Sequence, residues 1–292
     1  MSVKIGYLGP KGTFTKLAVD KTFNIGEKKG FATIPECIDA VELGEIDIGV
    51  VPIENAIEGT VQLTIDYLVH QVRLPIVAEI IVPIEQHLLL NRNFAGSLND
   101  IEVIHSHSHA IAQCHQFIHT EIPQATIEFS NSTGKAAELV SQTDQPIAAI
   151  GNALAAEEYG LNILRENIHD FPNNHTRFAV LAKNRSIDYI NQTVKGQKTT
   201  LLITLPTDNP GALHQVLSAF AWRKMSLSKI ESRPTKTGLG DYFFIIDEDQ
   251  PYDDVLFPGV QGELEALGCE VTILGTYPVY KIENVYKSTR PL

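Results

Sequence analysis

The sequence predicts an α/β protein in which two lobes enclose a cleft and a smaller βαββαβ unit follows. Three observations predict this. In the first two-thirds of the chain, strand-like apolar runs alternate four times with helical patterns, which argues for a mostly parallel sheet. The apolar run Val77–Pro83 and a return near Asn162–Asp170 give the chain two crossings between halves. From Thr199 onward the patterns run strand, helix, strand, strand, helix, strand, which is the ferredoxin-like plan.

The first cycle is a strand over Val3–Leu8, the loop Gly9-Pro10-Lys11-Gly12-Thr13, and a helix over Thr15–Phe23. The second is a strand over Ile46–Val51, a loop over Pro52–Gly59, and a helix starting near Thr60. Val77–Pro83 then leads into a second lobe made of Gln86–Leu90 and Ile101–Ile150. That lobe holds the third cycle, a strand at Ile101–His105, the loop Ser106-His107-Ser108, and a helix to about His119. The fourth is Thr126–Phe129, then Ser130-Asn131-Ser132-Thr133, then a helix over Gly134–Ser141.

Each of these helices starts beside Ser, Thr or Asn. At any one of them plain N-capping explains the residue, since a side-chain oxygen over a free backbone N–H suffices. Four at the same end of the strands do more. Helix N-termini offer unpaired N–H donors and partial positive charge, so a cleft ringed by them suits a small polyanion. Two lobes joined by two crossings can close over such a ligand and exclude water.

The return segment Ile168–Leu181, IHDFPNNHTRFAVL, passes from a turn-rich loop into a buried strand. Thr176 and Arg177 sit at the change, where α/β sheets place ligands. Alternation puts Thr176 and Phe178 on one face and Arg177 on the other. The plain reading is a strand entrance with one hydroxyl and a surface arginine.

Residues 1–183 thus form the two-lobed domain, and the polar stretch 184–198, without a clean period, reads as a linker. The unit 199–282 begins with a strand at Thr199–Leu205. Asp208-Asn209-Pro210-Gly211 then opens a helix through Arg223, with proline in its first turn. A strand at Ser226–Pro234, a hairpin turn at Thr235–Gly240 and a strand at Asp241–Ile246 follow. A helix over Pro251–Leu267, interrupted at Pro258-Gly259, and a strand at Cys269–Gly275 end the unit, leaving 283–292 as a tail. So small a sheet has an exposed edge and one open face, which pairing of two copies would cover.

Composition narrows the function. Of 292 residues 43% are apolar, and the net charge of −12 argues against nucleic acid or an anionic membrane as partner. An anionic ligand must be held by local groups. Three widely spaced cysteines without a CxxC motif fit a reducing compartment. No signal peptide is read ahead of Val3 and no apolar run is long enough to span a bilayer, so a cytoplasmic protein is expected. His105, His107 and His109 alternate, and His115 and His119 are four apart. No cysteine or paired carboxylate completes a metal set, so His105 should be packed, His107 should line the cleft, and the helical pair should be exposed. Gly9–Gly12 lacks the Lys-Ser/Thr ending of a P-loop, Gly238-Leu239-Gly240 lacks a third glycine, and no GxSxG occurs.

Taken together, the motifs resemble the prephenate dehydratase family joined to a C-terminal ACT regulatory domain. They are GPKGTFT at Gly9–Thr15, VPIENAIEGTV at Val51–Val61, SHSHAIAQC at Ser106–Cys114, STGKAAELV at Ser132–Val140, AAIGNALAAEEYGLNIL at Ala148–Leu164 and NHTRF at Asn174–Phe178. GAL at Gly211–Leu213 and ESRP at Glu231–Pro234 match the regulatory part. Ala56 stands where a serine is usual, Ser108 and His109 replace Pro-Gln, and Gly134 replaces an alanine.

The resemblance implies a periplasmic-binding-protein-like catalytic domain and a lyase that needs no cofactor. It would convert prephenate to phenylpyruvate, water and carbon dioxide in phenylalanine biosynthesis. It implies that Thr176 is catalytic and that Thr13, Phe14, Glu54, Asn55, Gly59, His107, Ser132, Thr133, Arg177 and Phe178 bind substrate. A threonine hydroxyl is too weak an acid to give up its proton fully, so Thr176 should donate a hydrogen bond to the leaving hydroxyl. Arg177, with its fork of donors, is the natural clamp for a carboxylate, unless it acts from behind the site. His107 and Glu54 are the candidates for a proton donor. L-phenylalanine would bind at the seam of paired ACT domains, against Asn209, Pro210, Gly211, Ala212, Leu213, Glu231 and Ser232, in a homodimer or homotetramer. Arogenate dehydratase, acting on the amino analogue, and a non-catalytic amino-acid-sensing binding protein are the alternatives.

Overall fold

A computed structural model of the protein describes residues 2–184, 189–206, 210–235, 242–250 and 252–283. The first cycle forms as its pattern predicts: β1 (Lys4–Leu8) leads into α1 (Phe14–Thr22), capped by Thr13, whose hydroxyl oxygen accepts from Lys16 N at 3.3 Å. A strand and helix that the pattern does not announce come next, β2 (Glu27–Phe31) and α2 (Ile34–Glu42). β2 reads EKKGF because it is an outer strand with little of its surface buried. β3 (Ile48–Asn55) runs on through Pro52–Asn55, expected as loop, and β4 (Gly59–Thr60) folds back on it. α3 (Gln62–His70) follows, and β5 (Ile76–Pro83) carries the chain across.

The second lobe is built from β6 (His87–Leu90), β7 (Val103–Ser106), α4 (Ser108–Gln113), α5 (His115–Glu121), β8 (Thr126–Phe129), α6 (Thr133–Ser141), β9 (Ile147–Gly151), α7 (Ala153–Tyr159) and β10 (Asn162–Arg165). The helix expected to run unbroken to His119 is two helices, because the backbone leaves helical geometry at Cys114. The strands line up as β10-β6-β9-β7-β8, with β7 parallel to β8 and β9. The two crossings run side by side, with Ile84 N donating to Asn174 O and Ile168 N to Gln86 O, both at 2.9 Å. β11 (His175–Leu181) then returns to the first lobe and inserts between β5 and β3, antiparallel to both.

The C-terminal unit contains β12 (Val194–Thr204), α8 (Ala212–Ala221), β13 (Leu227–Pro234), β14 (Tyr242–Glu248), α9 (Leu256–Ala266) and β15 (Glu270–Lys281). Its strand order, β13-β14-β12-β15, is the ferredoxin-like arrangement. The stretch expected as a linker is already strand from Val194. Its polar letters, VKGQK, belong to a ladder against β15. Pro258 does not interrupt α9, because it occupies the first turn, where no amide hydrogen is needed. The expected hairpin turn lies, beyond Thr235, outside the described residues, as does the tail beyond Glu283.

β15 runs six residues beyond Gly275, and its last residues pair in parallel with β5. The ladder is therefore continuous from one unit to the other: β13-β14-β12-β15-β5-β11-β3-β1-β2, with β4 against β3. This sheet curls over on itself. β14 and β11 are four strands apart, roughly 19 Å if flat at about 4.8 Å a step, yet Asp247 touches Arg177 at 2.7 Å. Phe243, Ile245, Leu274 and Tyr277 share one core with Ala179, Leu181 and Leu68. The open face that the sequence argument leaves for a second copy is thus covered within the chain, while β13 remains the outer strand. No described helix is long and apolar enough to cross a membrane.

Candidate active site

A cleft of about 1200 Å³ lies between the lobes. The Leu8–Phe14 loop and the β3–β4 hairpin form one wall, the starts of α4 and α6 form the other, and Thr176 and Phe178 reach it from β11. Thr13 and Phe14 open α1, and Ser132 and Thr133 open α6, with Ser132 Oγ accepting from Lys135 N at 3.0 Å. These two N-termini make the rim attractive to anions, and Lys11, Lys28 and Lys135 stand there too, paired with Glu158, Asp20 and Glu138 respectively. Two of the expected caps differ. His107 itself caps α4, its Nδ1 accepting from His109 N at 3.4 Å, and α3 starts at Val61 without any side-chain cap.

Thr176 is 8% exposed. Its hydroxyl oxygen accepts from Asn55 Nδ2 at 2.8 Å. The orientation of that amide is fixed, because Asn55 Oδ1 accepts from Ile57 N at 3.0 Å and Glu58 N at 3.1 Å. The hydroxyl therefore spends a lone pair on Asn55 and keeps its own proton. Gly59, opposite Asn55 in the hairpin, takes φ 80°, which only glycine adopts readily. Phe178 is buried in the first-lobe core and also lines the cleft.

Arg177 and Glu54 stand elsewhere. They face each other across the β11–β3 ladder, one rung from Thr176 and Asn55, and neither lines the cleft. Arg177 Nη1 donates to Glu54 Oε2 at 2.8 Å, and Nη2 donates to Glu79 Oε2 at 2.6 Å and Asp247 Oδ2 at 2.7 Å. Burial disfavours its charge, but Glu79 and Asp247 outweigh that and push its pKa up. The simple strand alternation thus holds: Arg177 points away from Thr176, into a buried ion cluster. Arg177, expected either to clamp a carboxylate or to act from behind the site, therefore stands behind it, as does Glu54, one of the two candidate proton donors.

His107 lines the cleft, and its pKa is lowered by burial and by His109, against the pull of Glu58. His105 is packed, and His115 and His119 are exposed. Among the described residues no group of three His, Cys, Asp or Glu side chains could hold a metal ion. Lys11, Lys28, Lys135, Glu58, Gln86 and Gln113 also line the cleft, beyond the residues that the motifs point to. For Lys11 and Lys135 the signal was present, since each sits in a Gly- or Ser/Thr-rich turn entering a helix.

Of the residues expected at the regulatory pocket, Asn209 lies outside the described residues. Gly211 caps α8 with φ 91°, beside Pro210 and ahead of Ala212 and Leu213. The β12-α8-β13 crossover brings this turn to the same end of the sheet as the last residues of β13. Ser232 is exposed there, but Glu231 turns to the opposite face, where it contacts Thr60, Lys229 and Arg233.

Residues 5–186 match the family model described as prephenate dehydratase. A prephenate dehydratase from Bacillus subtilis (strain 168) is 53% identical over 96% of this chain and all of that one. The solved structure of a prephenate dehydratase from Arthrobacter aurescens, in complex with L-Phe, superimposes with a TM-score of 0.83 at 35% identity, covering 94% of this chain and 90% of that one. GqqA, described as a novel type of quorum quenching acylase, also superimposes, with a TM-score of 0.80 at 28% identity over 94% of this chain and 97% of that one. The shared fold alone therefore does not fix a reaction. On the family model and on the identity to the Bacillus relative, the chain belongs to the prephenate dehydratase family.

Proposed function

We propose that the cleft converts prephenate to phenylpyruvate, with Thr176 assisting departure of the ring hydroxyl. The observation that carries this reading is the Thr176 hydroxyl, held by Asn55 with its proton left over for a ligand. In the reaction the bond from ring to carboxylate carbon breaks. Its electron pair enters the ring, and the bond from ring to hydroxyl oxygen breaks. Carbon dioxide leaves, the departing oxygen takes up one proton to become water, and the ring becomes aromatic. Charge grows on the departing oxygen, so a donor aimed there stabilises the transition state more than the ground state. The N-termini of α1 and α6 are suited to the two carboxylates. The ring carboxylate must stay incompletely neutralised, since tight pairing would oppose loss of carbon dioxide.

Purified protein incubated with prephenate should yield phenylpyruvate, and Thr176→Ala should lose roughly a hundred- to thousand-fold in kcat while still binding substrate. Unchanged turnover in that variant would remove Thr176 from the mechanism. Arogenate in place of prephenate, with phenylalanine as product, tests the amino analogue as substrate. Regulation by L-phenylalanine at an ACT-type C-terminal unit is part of the proposal, as are a homodimer or homotetramer and a cytoplasmic location. The L-Phe complex of the Arthrobacter relative supports the effector. Inhibition of turnover by added L-phenylalanine is the matching test.

A further inference from the structure

We propose that Lys229, a residue of the C-terminal unit, is a positioning residue for the reaction at Thr176, acting through the β3–β4 hairpin. The proposal rests on the reading of the cleft given above. Along β13 the side chains alternate: Lys229, Glu231 and Arg233 turn toward the first lobe, while Ser228, Ile230 and Ser232 are exposed. The Lys229 ammonium is well shielded, its side chain 14% exposed. It donates to Glu54 Oε2 and to Thr60 Oγ1, both at 2.6 Å, and lies 3.2 Å from Glu231 Oε2.

Glu54 and Thr60 are directly opposite each other in the hairpin ladder, and the next rung is Asn55 with Gly59. One cation thus clamps both strands of the hairpin a single rung from the amide that holds Thr176. The same carboxylate oxygen, Glu54 Oε2, also accepts from Arg177, the neighbour of Thr176 on β11. Glu231 on Thr60 and Arg233 on Asp66, at 2.7 Å, brace the hairpin and the helix behind it from the same strand. β4 is only two residues long and pairs with β3 at two rungs, so the hairpin has little stability of its own. What fixes the Asn55 amide against Thr176 therefore includes a strand more than 160 residues away in sequence. It also means that any rearrangement of β13 has a short path of contacts to the catalytic hydroxyl.

Lys229→Met and Lys229→Gln test this, with Lys229→Arg as the conservative variant and thermal melting to establish folding. Amide hydrogen exchange at Ile57–Thr60 should speed up at least tenfold in the Met and Gln variants, and the Arg variant should stay near the parent. This readout needs no substrate, so it stands apart from the reading of the reaction, which fails on its own if the parent protein does not turn over prephenate. With prephenate, kcat should fall about tenfold or more, in line with misplacement of a catalytic group, with KM changed far less, and the Arg variant should recover most of the loss. Unchanged exchange in the hairpin, or a kcat within twofold of the parent in folded Met and Gln variants, would overturn the proposal.

Discussion

Asn55 Nδ2 donates to Thr176 Oγ1 across 2.8 Å, and both oxygen contacts on the other end of the Asn55 amide are backbone N–H groups. A donor to the hydroxyl oxygen polarises the O–H bond and leaves its proton for the substrate. Asn55→Asp reverses this logic. The carboxylate can keep the Ile57 and Glu58 amides with one oxygen, but the other can only accept, and it would draw the Thr176 proton away from the cleft. We expect kcat to fall by at least about a hundredfold, the lower end of the loss expected for Thr176→Ala, with the fold retained. Steady-state kinetics of the variant on prephenate checks it, and a kcat within a few-fold of the parent would mean that the pair does not orient the proton.

Arg177 should behave as a structural cation. It neutralises Glu79 and Asp247, which are both almost fully buried, and Lys198 reaches them only at 3.5 and 3.9 Å. Removing one partner of such a cluster strands the others, at a cost of about 3–5 kcal/mol. Arg177→Met should therefore lower stability by that amount in urea melts, and Arg177→Lys should recover only part of it, since one ammonium cannot serve three carboxylates through a fork. A carboxylate clamp would predict the reverse pattern: raised KM with stability unchanged.

What the sequence reveals here follows burial. β1, α1 and β5 are legible because continuous apolar runs or periodic faces announce them. β2 is not, because EKKGF is an outer strand, and the second half of β3 is not, because Pro52, Glu54 and Asn55 imitate a loop. The direction of Arg177 follows from alternation alone. Its partners do not, because Glu79 and Asp247 are 98 and 70 residues away and meet it only where the long sheet curls over. The ESRP motif groups Glu231 with the regulatory pocket for a similar reason: a motif gives a residue's place in a strand but not which face that strand buries once a second domain covers it.

Gly134 is a position where this chain lacks a methyl group that it could not house. A Cβ there would lie 2.3 Å from Lys11 O and 3.4 Å from Gly12 C, both backbone atoms. The same loop is fastened to the second lobe by Asn152 Nδ2 on Gly12 O at 3.1 Å, Tyr159 hydroxyl on Lys11 O at 3.2 Å, and Lys11 on Glu158 at 2.9 Å. Gly134→Ala should prop the lobes apart at this latch. We expect a lower kcat/KM, by several-fold, and a larger radius of gyration in solution scattering with substrate bound. Identical scattering and kinetics would show that the loop yields without disturbing closure.

The hinge gives a pH prediction. Asn167 N donates to His87 Nδ1 at 3.1 Å, and Gln86 N donates to His169 Nδ1 at 3.3 Å, so each crossing is tied to the other through a neutral imidazole. Burial and the nearby His169 push the His87 pKa down to about 4, and burial lowers that of His169 as well. Between about pH 6.5 and 4 the unfolded chain therefore binds a proton at His87 that the folded chain refuses, so protons favour unfolding in that window. Stability should drop as pH falls from 6.5 to 4, with His87 contributing of the order of 3 kcal/mol, and its share should level off below pH 4. In His87→Asn, whose side-chain oxygen can still accept from Asn167, the fall across this window should be shallower by that contribution. Thermal melts at half-unit pH steps measure both slopes, and parallel curves for parent and variant would remove His87 from the acid response.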